Sequence, residues 1–105
     1  MTDDSMEAAR RSLDPERLLP GEDLASNDPA DVARWVTIYR ELKETKQTLA
    51  DDLAAALETA SQAARAELES VDMVLISVQL DRFERRFTYW SDRERELSTM
   101  AGREK

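Results

Sequence analysis

The chain is predicted to be all-α: a long antiparallel two-helix hairpin, two copies of which pair into a four-helix bundle. Three observations lead there. Between Ala30 and Ala101 there is neither proline nor glycine, so long helices are expected there. Two apolar stripes run along it at alternating three- and four-residue spacing, the signature of helix seams. The densest apolar run, Val71 to Trp90, is apolar nearly all round between Val71 and Leu80, so it needs neighbours on two sides.

Residues 1–27 read as an acidic, largely disordered tail. They hold Pro15, Pro20 and Gly21 and more acid than base. The run SMEAARRSL allows a short transient helix from Ser5, ended at Asp14-Pro15, but a helix so short is marginal without packing. Leu13, Leu18, Leu19 and Leu24 offer either a linear binding motif or docking points on the domain.

The hairpin occupies 28–101. Asp28 caps its first helix, Pro29 fits the first helical position and Asp31 complements the positive end of the dipole. The first helix covers about 29–60, with Val32, Trp35, Tyr39, Leu42, Leu49, Leu53, Ala56 and Ala60 on one stripe. Lys46 interrupts that stripe, its stem long enough to carry the ammonium out to water. Ser61 is of capping type and opens a second helix over about 62–99; Asp72 is a second candidate for the break. On the second helix Met73, Ile76, Leu80, Phe83, Phe87, Trp90 and Leu97 form the seam, and residues 102–105 read as a frayed end. Folding back near Ser61 sets Trp35 and Tyr39 opposite Phe87 and Phe83, with Trp90 near Val32.

The composition removes several chemistries. There is no Cys and no His, which excludes disulfides, thiolate nucleophiles, the His-based triads and the common zinc sites. With only Gly21 and Gly102, no glycine-rich phosphate loop is present. A formal net charge of -8 disfavours general affinity for nucleic acid or anionic membrane. No apolar run has the length of a membrane span, and the start lacks a signal-peptide core, so the expected location is cytoplasmic.

Two surfaces are candidates for function. At the open end of the hairpin Arg34, Arg40, Lys43, Arg82, Arg85, Arg86, Arg93 and Arg95 gather around Trp35 and Trp90, a composition of interface hot spots that suits another protein, its identity unspecified by the residues. At the other end Val71, Val74, Leu75 and Val78 are the expected homodimer interface. The same Arg and aromatic end also allows a sensor of a small ligand or nucleotide.

A further pattern lies in the carboxylates. Glu41-x-x-Glu44 followed by Glu69-x-x-Asp72 resembles the ExxE and ExxD pair of MazG-type nucleoside triphosphate pyrophosphohydrolases. Four positions carry the resemblance; it implies a helical dimer in which these residues hold magnesium. On regular helices the two pairs point to different faces of one hairpin, so such a site requires a second chain. The first expectation is therefore a non-enzymatic helical interaction module, regulatory or adaptor, with no cofactor; magnesium enters only under the hydrolase alternative.

Overall fold

The computed structural model of the chain describes residue 7 and residues 10–103. Three helices follow residue 28: α1, Pro29–Thr59; α2, Gln62–Ser70; and α3, Asp72–Arg103. Among the described residues there is no strand. The helix start at Ser5 falls outside the described residues, although Glu7 and residues 10–12 are helical. Gly102 still belongs to α3, and residues 104–105 lie outside.

Each boundary has a local cause. The Asp28 carboxylate accepts the Ala30 N–H at 3.1 Å, and Pro29 occupies a position whose N–H would have no partner. α1 stops where Ala60 turns extended (ψ 150°); Ser61, also extended, accepts the Ala64 N–H at 3.3 Å and starts α2. α2 ends because Val71 leaves helical geometry (φ -121°, ψ -62°), while Ser70 turns its hydroxyl back onto the Glu67 carbonyl at 2.9 Å. The span expected as one helix over 62–99 is thus divided at Val71, with Asp72 the first helical residue after the break.

α1 and α3 make the main contact. Trp35 stacks on Trp90 with centroids 6.4 Å apart, and Tyr39 lies 6.2 Å from Phe83. Advancing along α1 retreats along α3, so the pair is antiparallel. Tyr39 meets its expected partner. Trp35 meets Trp90 in place of Phe87, a displacement of less than one turn; Phe87 instead lies beneath Arg40 and Lys43.

The core is confined to the open end. Val32, Trp35, Val36, Tyr39, Phe83 and Trp90 are buried, with Leu19, Leu24, Ile38, Leu42, Phe87 and Leu97 packed around them. From residue 40 to residue 81 nothing is buried. The molecule measures 63 × 36 × 15 Å with a radius of gyration of 17.7 Å, against about 13 Å for a compact chain of this length. No helix among the described residues is long and apolar enough to cross a membrane.

Candidate functional site

Residues 12–27 run along α3 and then turn into α1. Their backbone is organised by local bonds made by acidic side chains. The Asp14 carboxylate accepts the Glu16 N–H and that of Asp23 accepts the Ala25 N–H, both at 2.9 Å, the side-chain turns that Asp favours. Between them Leu19-Pro20-Gly21-Glu22 forms a tight turn closed by Glu22 N–H to the Leu19 carbonyl at 2.9 Å, with Gly21 at φ +84°. Proline followed by a residue of positive φ is what a type II turn requires.

This turn delivers Glu22 into the core. Glu22 is only 7% exposed. One carboxylate oxygen accepts from the Tyr39 hydroxyl at 2.6 Å and from the Leu19 N–H at 2.9 Å; the other accepts from the Trp90 indole N–H at 2.8 Å. A carboxylate out of water needs such donors, and bonds to an ionised group are worth roughly 1.5–3 kcal/mol each. Burial, followed by the bond to Glu22, holds the Tyr39 hydroxyl well above the ordinary phenol range. Leu19 and Leu24 pack on the core on either side of the turn.

The arginines of α3 grip the same segment by its main chain. Arg82 donates to the carbonyls of Ser12 at 2.6 Å and Asp14 at 3.2 Å, Arg85 to Pro15 at 3.2 Å, Arg86 to Glu16 at 3.4 Å and Arg93 to Ser26 at 3.5 Å. Tyr89 donates its hydroxyl to the Leu24 carbonyl, and Arg93 also binds the Asn27 side chain. Burial, with Arg17 nearby, lowers the pKa of Arg82 from its ordinary value; a guanidinium remains charged in neutral solution all the same. Where the segment joins α1, the Ser26 hydroxyl, aided by Arg34, holds the Asp31 carboxyl below the usual range.

No protein-family model, curated protein or solved structure matches the chain. The expected site residues therefore stand on geometry alone. Trp35 (2% exposed), Trp90, Arg82 and Arg86 are buried, and Arg82, Arg85 and Arg86 face the chain's own residues 12–16. Arg34 and Arg40 remain exposed on α1, Arg34 paired with Asp31 at 2.9 Å and lying over the Trp35 ring; Lys43 lies over Phe87. Arg95 pairs with Asp92 on the outer side of α3. Among the described residues two buried donors find no formed bond: Arg86 Nε and the Trp35 indole N–H. The cleft at the mouth of the hairpin, between Val32 and Leu97, has a volume of 210 Å³, smaller than the ~300–1,000 Å³ of usual small-ligand sites.

Glu41 and Glu44 lie on α1, Glu69 on α2 and Asp72 at the start of α3, all four exposed. Among the described residues no three carboxylates come close enough to share a metal ion. Of the expected dimer face, Val71 and Val74 are 56% and 51% exposed, while Leu75 and Val78 are half-buried. Glu22 escaped sequence reasoning: its partners lie 17 and 68 residues away. The one local signal was Pro20-Gly21 between leucines, which marks a turn and hence a fixed direction for Glu22.

Proposed function

We propose that this chain is a non-enzymatic, protein-binding helical module of regulatory or adaptor type, and that its closed half docks on a second copy of itself. One observation carries this: the part of the densest apolar run that is apolar nearly all round, Val71 to Leu80, lies in the interval where nothing is buried. Leu49, Val71 and Val74 are largely exposed there, and Leu53, Leu57, Met73, Leu75, Ile76, Val78 and Leu80 are only half covered. Contiguous apolar surface of this kind marks an interaction site.

The area supports a second copy as the occupant. The chain exposes 7332 Å², whereas a compact monomer of its mass exposes about 6,000 Å². The excess exceeds the roughly 800 Å² per partner that a standard interface buries. Two hairpins meeting by their closed halves cover the band from Val71 to Leu80 from its second side, as a four-helix bundle does.

Light scattering behind a sizing column tests the assignment. The expected mass is twice that of the chain, falling to the single mass in Val74→Glu, with helicity retained. A wild-type monomer at micromolar concentration overturns self-association. It would leave the face to a foreign occupant, which nine acidic against four basic side chains between residues 40 and 81 suit to a basic amphipathic helix.

A further inference from the structure

We propose that the open end of the hairpin is a peptide-reading groove, occupied in cis by residues 12–27, which accepts from another protein an acidic segment carrying Leu-x-x-Glu-x-Leu with a tight turn before the glutamate. The arginines and aromatics of the groove lie outside the closed half, and Leu13 and Pro15 border Val78 where the two regions meet.

The contacts divide as those of a peptide receptor do. Arg82, Arg85, Arg86, Arg93 and Tyr89 bind main-chain carbonyls, which a segment of any sequence offers when it follows the same turns. Tyr39 and Trp90 select a carboxylate at one position, since no other side chain presents two acceptor oxygens to an O–H and an N–H converging on it. Leu19 and Leu24, three residues before and two after, supply the apolar anchors. Main-chain bonds holding the strand and a few pockets reading its side chains is the common division of labour in peptide recognition.

The segment itself behaves as a ligand. Its backbone bonds are local turns and its long-range bonds all run to hairpin side chains. Its fit is also incomplete. Arg86 Nε stays buried without an acceptor, while Leu13 and Leu18 remain 44% and 41% exposed. A peptide that meets Arg86 fully gains what the tethered segment forgoes. The partner's charge follows from the groove: a row of guanidinium groups favours an acidic strand, as the resident one is.

Competition by the tether supplies the test. A linked segment acts at an effective concentration of order millimolar, so a labelled peptide of residues 10–27 at micromolar concentration should not change its fluorescence anisotropy with the intact wild-type chain. In full-length Glu22→Ala the resident segment loses its anchor, and the same peptide should bind; a peptide carrying Glu22→Ala itself should bind about tenfold more weakly or worse. Gly21→Val is the second variant, because a β-branched residue at φ +84° unsettles the turn without removing any group that touches the hairpin. Three results overturn the proposal. One is no peptide binding by either variant while both keep their helical circular dichroism. Another is loss of that signal in both, which would mean that the hairpin cannot fold without residues 12–27 seated on it. The last is a dimer in Val74→Glu that Glu22→Ala abolishes, which would make the occupant a second copy.

Discussion

Tyr39 joins the core and the N-terminal segment through one hydroxyl, and its chemistry should be visible in the pH dependence of stability. Burial and the adjacent Glu22 carboxylate raise its pKa from 10.0, so the folded state retains a proton that the unfolded chain gives up. The folded chain then binds more protons above about pH 10, and the linkage relation makes stability fall as pH rises there. The contribution is fully present below that pH and is lost progressively above it. Melting temperature measured from pH 8 to 11.5 should decline more steeply in the wild type than in Tyr39→Phe, which has no phenol at that position. At neutral pH the same variant should be less stable by about 1–3 kcal/mol, because Glu22 loses a donor in a buried position. Equal slopes in the two proteins would contradict the coupling. The residue also shows what a pattern of spacing conveys. Tyr39 on the α1 seam and Phe83 opposite it were legible from the three-four repeat, since the repeat depends only on neighbours in sequence. That its hydroxyl meets Glu22 was not, because the bond depends on where a proline- and glycine-bearing stretch returns in space.

The three helices differ in what stabilises them. α1 is buried along its first three turns and only partly covered along the rest, α2 has no buried residue, and α3 is buried only from Arg82 onward. Helices of such length in water draw most of their stability from packing rather than propensity. Amide hydrogen exchange should therefore be slow over 32–39 and 83–90 in every state of the protein. Over 50–70 it should be slow in wild type and fast in Val74→Glu, if a second chain supports the closed half; fast exchange there in both proteins would mean that nothing covers it. The element boundaries were largely readable. Asp28-Pro29 and Ser61 act through bonds to residues two or three positions on, so their effect is written locally. The break at Val71 was harder, because a β-branched residue leaves helical geometry only when its surroundings let it, and Asp72 merely makes the site eligible. The docking of residues 12–27 was not readable: composition reports that a stretch cannot form a core alone, not that distant arginines await its carbonyls.

At the scale of the whole molecule the chain is lopsided, with a tightly packed Arg and aromatic end and a bare, acidic, apolar end. If the bare end pairs with a second copy, melting temperature should rise with protein concentration in the wild type, by mass action, and be independent of it in Val74→Glu. Added salt should strengthen the pairing, since acidic rims repel and screening relieves them; weakening by salt would point to a complementary, basic partner instead. The path of the chain has one more consequence, which concerns the order of assembly. The groove that receives Ser12 to Glu16 is made by Arg82 to Arg86, some seventy positions later. Contacts so distant in sequence form only after the intervening loop has closed, which here means after α1 and α3 have met. A chain made from its N-terminus displays these residues bare until nearly all of it exists. They are then the last part to be seated as the protein folds and the first to come away as it opens, so a competing strand has its best chance of capture while the molecule is newborn.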